Sequence, residues 1–226
     1  MLLDIDLGEL PDEPEALYAC AHLANVACGG HAGDDASMRR AVALCIAHGT
    51  KIGAHPSYPD REGFGRRTIE MDPAALSAAI ASQCERLRII AAESGAEVRY
   101  VKAHGALYHD ARRSEAVAEA LVQGVRAGLG SVVCVLGPPS GALVTEVHRT
   151  TNFEYLKEGF ADRGTRADGT LVPRDEPGAL VTDPAEAARQ AVALARSGGV
   201  DAVCCHGDTP GAVEIARAVR AALDAL

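Results

Sequence analysis

Tryptophan is absent from the sequence, and aromatic residues make up only 4% of its 226 residues. Long apolar runs are missing as well, since no segment approaches the ~18 consecutive apolar residues of a membrane span. The opening residues MLLDIDLGE carry acids where a secretory signal would carry bases. We therefore expect a cytoplasmic protein that has no membrane partner.

Runs of lysine or arginine are also missing, and the formal net charge is −9. The mean field of such a chain repels nucleic acids and anionic membranes, so a nucleic-acid partner is not expected. An anionic substrate must instead be held by individual Arg or Lys side chains and by backbone N–H groups.

The seven cysteines are odd in number, show no CxxC spacing and lie mostly inside apolar runs. This pattern is typical of reduced, buried thiols rather than of a disulfide framework. Cys28, close to His31, suggests a nucleophile, but a thiol at the end of an apolar strand is more often inert packing.

Short apolar runs alternate along the chain with longer segments of helical period. The runs predict seven strands, at residues 2–6, 23–27, 51–55, 98–102, 132–136, 153–157 and 201–205. Asp72 and Asp183 each precede a proline and are predicted to cap helices, and Gly49 is predicted to end one. No linker divides the chain, so we predict one domain, residues 1–226.

Strands that alternate with helices pair in parallel through right-handed crossovers. Seven such units can close into a barrel or form an open doubly wound sheet. Neither the GxGxxG motif nor a Walker phosphate loop occurs, so the open sheet lacks its usual ligand sites. We therefore predict an α/β fold built as a seven-stranded parallel (β/α)7 barrel.

Ionisable residues and glycines follow nearly every predicted strand. Those at the first three strands are Asp4, Asp6, Glu9, His31, Asp34 and His55, and those at the later strands are Lys102, His104, Glu158, Asp162, Arg163, His206 and Asp208. In a closed parallel barrel the carboxyl ends of all strands meet at one rim, where such folds place their active sites. We therefore predict that His31, His55, His104 and His206 converge there with several carboxylates.

Simpler interpretations stay open for single residues of this set. Asp34 and Asp208 could only cap the helices that follow them, and a lone histidine after a strand is more often structural than catalytic. Arg66 and Arg67 could clamp a carboxylate or phosphate, or form a solvated pair. The long irregular stretch 159–182 is typical of a functional loop or lid.

The same segments resemble a known family. They are DLGE at 6–9, ANVACGGHAGD at 24–34, IGAHPSYPD at 52–60, GFGR at 63–66, VKAHGALY at 101–108, FADR at 160–163, DGTLVPR at 168–174 and HGDTP at 206–210. In this order, over nearly the whole chain, they resemble the LamB/YcsF family, the A subunits of prokaryotic 5-oxoprolinase. The resemblance implies a distorted TIM-like barrel similar to glycoside hydrolases and polysaccharide deacetylases. It also implies ATP-dependent hydrolysis of the lactam 5-oxoproline to L-glutamate, performed with B and C subunits.

From this resemblance we expect the rim side chains to act on the substrate. The candidates for acid–base catalysis are Asp6, Glu9, His31, His55, His104 and His206. The candidates for substrate binding are Asn25, Asp34, Arg66, Lys102, Asp162, Arg163 and Asp208. ATP is the expected cofactor, with Mg²⁺ as its metal, and because no Walker motif is present it is held in an unfamiliar way or by a partner subunit. Self-association into a homo-oligomer is compatible with the sequence.

The chain departs from the usual family pattern at the predicted rim. The departures are Asp4 in place of Asn, Gly30 in place of Phe, Ala103 in place of Pro, His109 in place of Asn, and Thr165 where an aromatic residue is usual nearby. Substrate choice or activity could therefore differ from the family's. Two alternatives stay open: a deacetylase-like amide hydrolase that uses a divalent metal held by an Asp and two His, and a non-catalytic substrate-binding subunit.

Overall fold

Seven parallel strands close into a barrel in the order β1 to β7. The computed structural model describes residues 1–130, 133–149, 153–166 and 170–226. The strands are β1 (Leu2–Leu7), β2 (Leu23–Ala27), β3 (Lys51–His55), β4 (Val98–Lys102), β5 (Val133–Gly137), β6 (Phe153–Phe160) and β7 (Ala202–His206). The predicted seven-stranded parallel barrel is therefore confirmed.

The predicted strand bounds hold for β2, β3 and β4 and shift by a residue at β1 and β7. The predicted start of the fifth strand, at 132, lies outside the described residues. The main correction concerns β6, which continues three residues beyond the predicted end at 157. Its first part pairs with β5, whereas Glu158, Gly159 and Phe160 pair with β7. Glu158 is therefore part of a strand and does not follow one.

Eight helices in the described residues surround the barrel. They are α1 (Glu15–Cys20), α2 (Asp35–His48), α3 (Pro73–Glu93), α4 (Gly105–Arg113), α5 (Glu115–Leu129), α6 (Ala142–Arg149), α7 (Pro184–Ser197) and α8 (Ala212–Asp224). Three predicted helix ends are confirmed: Asp72 accepts from the N–H of Ala74, Asp183 accepts from the N–H of Glu186, and Gly49 ends α2 with φ 70°. Within the same residues, no helix has both the length and the apolarity needed to cross a bilayer.

Side chains of β1 alternate between the helices and the barrel interior, as the pleat of a strand requires. Leu3, Ile5 and Leu7 pack in the main hydrophobic core, whereas Asp4 and Asp6 point inward and meet side chains from other strands. The same alternation places the following residues inward: Asn25, His55, Tyr100, Lys102, Leu136, Glu158, Cys204 and His206.

The interior is apolar at one end and polar at the other. Leu23, Tyr100, Leu136 and Ala202, from four strands, form an apolar cluster that closes the amino-terminal end. Polar side chains occupy the interior above this cluster, up to the carboxyl ends of the strands. The barrel therefore has one polar mouth.

Helices α3 and α5 approach closely because two glycines lie where they cross. A Cβ atom added at Gly124 would lie 2.6 Å from the carbonyl oxygen of Ser77, and one added at Gly128 would lie 2.6 Å from that of Ala81. These distances are shorter than any van der Waals contact. The backbone of α5 therefore rests directly on α3.

Replacing Gly124 by valine should push α5 away from α3 and lower the free energy of unfolding by about 2 kcal/mol, the cost typical of overpacking. The matched control is Ala127→Val, which adds similar bulk to an exposed position of the same helix and should cost less than about 1 kcal/mol. Urea unfolding of both variants measures the difference. Equal free energies of unfolding for the two variants would show that the close packing of α5 on α3 does not require glycine at position 124.

Candidate active site

Three of the four predicted histidines meet at the mouth of the barrel. The rings of His31 and His104 stack with their centroids 3.6 Å apart, and the His55 ring lies edge-on to both. Glu9 Oε1 lies 2.9 Å from His31 Nε2 and 3.2 Å from His104 Nδ1. We call Glu9, His31, His55 and His104 the histidine cluster. One ligand atom from each lies within 4.8 Å of the others, so the cluster could hold a metal ion.

Backbone carbonyl oxygens contact the ring nitrogens of His55 and His104 that point away from the centre of the cluster. His55 Nδ1 lies 2.8 Å from the carbonyl oxygen of Lys102, and His104 Nε2 lies 2.9 Å from that of Phe64. Because a carbonyl oxygen only accepts, each of these nitrogens carries its hydrogen and donates it. His31 differs, since its Nδ1 is buried and has no hydrogen-bond partner within the part of the chain that the structure describes.

The loop after β3 brings the Phe64 carbonyl into place through two unusual backbone conformations. Phe64 itself has φ 54°, a value that non-glycine residues rarely adopt. The next residue, Gly65, also has a positive φ, and a Cβ atom there would lie 2.8 Å from His31 Cβ. Only glycine therefore lets this loop pass so close to the stacked rings.

Burial and contacts inside the cluster set its charge. Burial opposes the charge of Glu9, but the contacts to His104 and His31 outweigh it and hold the pKa of Glu9 well below its usual value. Burial lowers the pKa of His31 to about 4 and also lowers the pKa of His104. An ionised Glu9 therefore faces the neutral rings of His31 and His104 at neutral pH.

A second cluster lies deeper, around the ammonium group of Lys102. Lys102 Nζ is 2.8 Å from Asp6 Oδ1, 2.7 Å from Glu158 Oε1 and 3.3 Å from Asp4 Oδ1. Asn25 Nδ2 donates to Asp4 and Asp6 at 2.8 Å each. We call these five residues the lysine cluster; it sets three carboxylates against one ammonium.

The three carboxylates cannot all be charged at low cost, because one ammonium neutralises only one of them. The pKa of Glu158 lies well above its usual value, since burial disfavours its charge and Asp4 and Asp6 add like charge despite Lys102. Burial also opposes the charge of Asp6, but His55 and Lys102 together hold the pKa of Asp6 well below its usual value. Glu158 therefore keeps a proton where Asp6 is ionised.

The fourth predicted histidine, His206, is oriented by Asp162 from the end of β6. His206 Nδ1 lies 2.9 Å from Asp162 Oδ1, and Asp162 Oδ2 also accepts from Thr209 Oγ1 at 2.7 Å. Burial opposes the charge of Asp162, but His206 and these hydrogen bonds hold the pKa of Asp162 below its usual value. The other ring nitrogen, His206 Nε2, faces Asp6 Oδ2 at 3.7 Å.

Two arginines beside this pair share one carboxylate, and the charges of both act on a third arginine. Arg66 and Arg174 both form ion pairs with Asp208, which therefore does not cap a helix; helix α8 begins after Gly211 without a side-chain cap. Arg163 is buried and donates to the carbonyl oxygens of Ala179 and Val172. Burial and the neighbouring Arg174 and Arg66 charges lower the pKa of Arg163 to about 10.

A cleft of about 1520 Å³ connects these groups. Asp6, Lys102, His104, Glu158 and His206 line its inner end, and Arg66, Arg163 and Arg174 line its outer part. Asn25 lies below the cleft, and Asp34 lies away from it, exposed at the start of α2, where it accepts from the N–H of Ser37 at 2.9 Å. Six of the thirteen predicted site residues line this cleft: Asp6, Arg66, Lys102, His104, Arg163 and His206. The others contact residues that line it, except Asp34, which is a helix cap. The motif residues 168–169 lie outside the described residues.

Glu158 was predicted at the rim without a role, and Cys204 and Tyr108 were not among the predicted site residues. Glu158 and Cys204 face inward from β6 and β7, and Cys204 Sγ lies 3.0 Å from Lys102 Nζ. Tyr108 lies on the first turn of α4, four residues after His104, and lines the cleft. The period-two alternation of strands and the helical spacing from His104 could have identified all three.

The cysteines show no sign of a nucleophile. Burial raises the pKa of Cys28 to about 12 and raises the pKa of Cys204 well above its usual value. All seven cysteines are free thiols. These two keep their protons at neutral pH, which agrees with the predicted inert role.

At Gly30, neighbouring side chains occupy the space that a side chain at this position would need. A Cβ atom at Gly30 would lie 2.3 Å from Gln83 Oε1 and 2.4 Å from Ser57 Oγ. The Gln83 side chain bonds both the N–H and the carbonyl of Ser57. A phenylalanine at position 30 would displace this glutamine.

The LamB/YcsF family model matches residues 3–226 of the chain. A protein from Streptomyces avermitilis, named as the A subunit of 5-oxoprolinase, is 46% identical, and the match covers 99% of this chain and 95% of the relative. A protein of the same name from Chloroflexus aggregans is 41% identical, and the match covers 94% of this chain and 88% of the relative.

Solved structures give the same picture of the fold. A lactam utilization protein from Thermus thermophilus is 33% identical and superimposes with a TM-score of 0.91, covering 100% of this chain and 96% of its own. An uncharacterized protein from Agrobacterium tumefaciens superimposes with a TM-score of 0.56 at 12% identity, covering 97% and 80%. The second likeness supports the barrel fold alone.

Replacing Lys102 by methionine should leave buried carboxylates without a cation and lower the free energy of unfolding by about 3–5 kcal/mol at neutral pH. Lys157→Met is the matched control, because Lys157 is exposed on β6, and it should change stability little. Urea unfolding measures both. A small effect of Lys102→Met would mean that the ammonium is not needed to offset the carboxylates.

Replacing Glu158 by glutamine should change how stability depends on pH. The folded pKa of Glu158 lies above its unfolded value of about 4.3, so its contribution is fully present below that value and is lost as pH rises through the folded pKa. The Gln variant lacks this loss, so its stability relative to the native chain should increase as pH rises above about 4.3. Urea unfolding across this pH range tests the slope.

The control for this measurement is Glu154→Gln, on the exposed face of the same strand. Its stability at pH 7 should stay within about 0.5 kcal/mol of the native chain, as for most surface substitutions. A pH-independent difference between Glu158→Gln and the native chain would show that Glu158 ionises normally in the folded protein.

Proposed function

The chain belongs to the LamB/YcsF family, and from this premise we propose that it is the A subunit of a 5-oxoprolinase and acts with B and C subunits. Its reaction is the ATP-dependent hydrolysis of the lactam 5-oxoproline to L-glutamate. The observation that carries the proposal is the Asp162–His206 pair facing Asp6 at the inner end of a cleft that is also lined by six arginines. The names of the relatives support the same activity.

The chemical problem is the stability of a lactam, which is a resonance-stabilised amide. Transfer of a phosphoryl group from ATP to the amide oxygen ends the amide resonance; water then adds to the carbon, the C–N bond breaks as the nitrogen takes up a proton, and a second water releases phosphate from the acyl phosphate that is left. The tasks of the site are to orient water, remove its proton, protonate the nitrogen and stabilise the developing charge. These tasks suit fixed side chains in a closed cleft.

His206 is the proposed general base. Asp162 accepts the hydrogen of Nδ1, which leaves Nε2 unprotonated in the neutral ring and directed toward Asp6 Oδ2. A base oriented in this way by a buried carboxylate follows the logic of catalytic triads. We assign the positioning of the ring to Asp162, which does not need to take up the proton itself.

Glu158 and Asp6 differ in protonation although both contact the same ammonium. Carboxyl groups whose surroundings separate their pKa values are suited to acid and base roles at one pH. Glu158, which keeps its proton, is the proposed acid for the departing lactam nitrogen. Asp6, which is ionised, stabilises the imidazolium that forms when His206 takes a proton.

The arginines supply the positive charge that the acidic chain otherwise lacks. Arg66 and Arg174 pair with a single carboxylate, Asp208, and Arg163 lies close enough to both for their charges to lower its pKa. These three guanidinium groups therefore outnumber the carboxylate that two of them share. A guanidinium binds carboxylate or phosphate through two parallel hydrogen bonds. We assign the substrate carboxylate, or the phosphate of an activated lactam, to this group.

The cleft is larger than a small lactam requires. Sites for drug-sized ligands typically occupy about 300–1,000 Å³, whereas this cleft reaches about 1520 Å³. The additional volume could admit phosphate groups or a segment of a partner subunit. No Walker motif occurs in the sequence, so we propose that a partner subunit holds the nucleotide.

The direct test is reconstitution. The purified chain is incubated with candidate B and C subunits, ATP, Mg²⁺ and 5-oxoproline, and glutamate release is measured with and without the chain. Release should require the chain. Equal release in its absence would indicate a non-catalytic role and would refute the proposal.

His206→Asn should lower kcat of the reconstituted enzyme about 10²- to 10⁴-fold, the usual contribution of a general base. His109→Asn is the matched control, because His109 lines the same cleft and the family usually has Asn there; it should stay active. Circular dichroism and thermal unfolding confirm that both variants fold. Full activity of His206→Asn would assign the base to another residue.

A further inference from the structure

The histidine cluster contains more lone pairs than hydrogens to share among them. His55 donates its Nδ1 hydrogen to the Lys102 carbonyl, and His104 donates its Nε2 hydrogen to the Phe64 carbonyl. A neutral imidazole has one N–H, so the inner nitrogens of both rings carry lone pairs. These two nitrogens, His55 Nε2 and His104 Nδ1, lie 3.0 Å apart, and in neutral rings with these tautomers neither carries a hydrogen to donate to the other.

Carboxylate oxygens add further lone pairs at the same place. Glu9 Oε1 lies 3.2 Å from His104 Nδ1 and 3.8 Å from His55 Nε2. Asp6 Oδ2 lies 3.3 Å from His55 Nε2. A proton placed here bridges only two of these four atoms, whereas a metal ion can accept a lone pair from each.

The spacing of these atoms fits a small divalent cation. A tetrahedral site with bonds of about 2.0–2.1 Å to nitrogen and oxygen has edges of about 3.3–3.4 Å. The separations among Glu9 Oε1, His55 Nε2 and His104 Nδ1 are 3.0, 3.2 and 3.8 Å. Two imidazoles with carboxylates are a zinc-type ligand set, while Mg²⁺ prefers oxygen ligands alone.

The hydrogen bonds of the outer ring nitrogens distinguish the two proposed metal ligands, His55 and His104, from His31. Metal-binding histidines almost always donate their second ring N–H to a carbonyl or carboxylate, and both His55 and His104 do so. His31 does not, because its Nδ1 has no partner among the residues that the structure describes. Its hydrogen therefore belongs on Nε2, where it donates to Glu9 at 2.9 Å and orients that carboxylate.

The other groups of potential ligands already hold a cation. Cys204 Sγ, which belongs to both remaining groups, lies 3.0 Å from Lys102 Nζ. Asp6 Oδ1 and Glu158 Oε1 also contact this ammonium. A second cation in either of these groups would be repelled by the Lys102 ammonium. The inner atoms of the histidine cluster, Glu9 Oε1, His55 Nε2 and His104 Nδ1, instead contact one another.

We propose that Glu9, His55 and His104 bind one zinc-type divalent cation, with Asp6 Oδ2 as a fourth donor and His31 as the residue that positions Glu9. His104 and Asp6 line the cleft, so the site is open to substrate. A cation of this kind supplies Lewis-acid chemistry when bound. The inference goes beyond the proposed function and does not rest on it.

The test is direct binding of Zn²⁺ by the full chain, without partners, ATP or lactam. Chelator-stripped protein is titrated with Zn²⁺ against a chromophoric competitor, and metal content is measured after gel filtration. We expect one ion per chain and a higher unfolding temperature with Zn²⁺. Cobalt replacement should give the visible bands of a four-coordinate ion with nitrogen ligands, a readout that needs no variant.

Variants locate the ion. His55→Ala and His104→Ala should each weaken binding by more than the roughly 10- to 100-fold that loss of an outer contact causes. His31→Ala should fall within that smaller range, and His206→Asn should bind like the native chain. Thermal unfolding without metal confirms that each variant folds.

Two outcomes would overturn the proposal. Failure of the native chain to bind stoichiometric Zn²⁺ or Co²⁺ at pH 7–8 would mean that a proton occupies the cluster. Full binding by a His55→Ala/His104→Ala double variant would place the ion elsewhere. Because no turnover is measured, either result is distinguishable from failure of the proposed 5-oxoprolinase activity.

Discussion

Inside the barrel, the Lys102 ammonium lies 2.8 Å from Asp6 Oδ1 and 2.7 Å from Glu158 Oε1, and so links β4 to β1 and β6 across the interior. Burying an ammonium or a carboxylate costs several kcal/mol per ion unless a partner of opposite charge is placed correctly. The positions of these strands are therefore coupled to the charge state of the site. Asn25 adds β2 to the same network by donating to Asp4 and Asp6.

The contacts of Lys102 and Asn25 with Asp6 also determine which Asp6 oxygen faces the mouth of the barrel. With Oδ1 of Asp6 held by Lys102 and Asn25, only Oδ2 is directed toward His55 and His206. One carboxylate thus joins the lysine cluster to both histidine sites. A charge introduced at the histidine cluster or at His206 therefore interacts with Asp6. The interaction is strong because these groups are buried.

The sequence predicted the barrel and the residues at its mouth because both follow from local patterns. Apolar runs bounded by glycine and polar residues marked β2, β3 and β4 correctly, and parallel topology then required their carboxyl ends to meet. The end of β6 was missed because Lys157, Glu158 and Gly159 have the composition of a loop. Pairing with β7 overrides this composition, and such tertiary pairing is not visible in a single sequence.

The details that give the site its chemistry lie beyond sequence patterns for a similar reason. Asp208 follows a strand and precedes a helix, as a capping residue does, yet it pairs with two arginines from distant loops. The carbonyl of Phe64 approaches His104 only because Phe64 and Gly65 both adopt a positive φ. Ring tautomers depend on such contacts, so they can be assigned only in three dimensions.

Asp4 shows how a single atom of a side chain can alter chemistry without altering shape. Its Oδ1 accepts from Asn25, which an asparagine oxygen could also do, whereas its Oδ2 is buried and has no hydrogen-bond partner among the described residues. The change from Asn to Asp therefore adds negative charge beside Glu158 and leaves the hydrogen bond in place. That charge contributes to the raised pKa of Glu158, so a family member with asparagine here would hold its glutamic acid proton less tightly. The pKa of a general acid depends on the charges that surround it. The residue at position 4 therefore affects the pKa of Glu158 more directly than it affects which ligand the cleft binds.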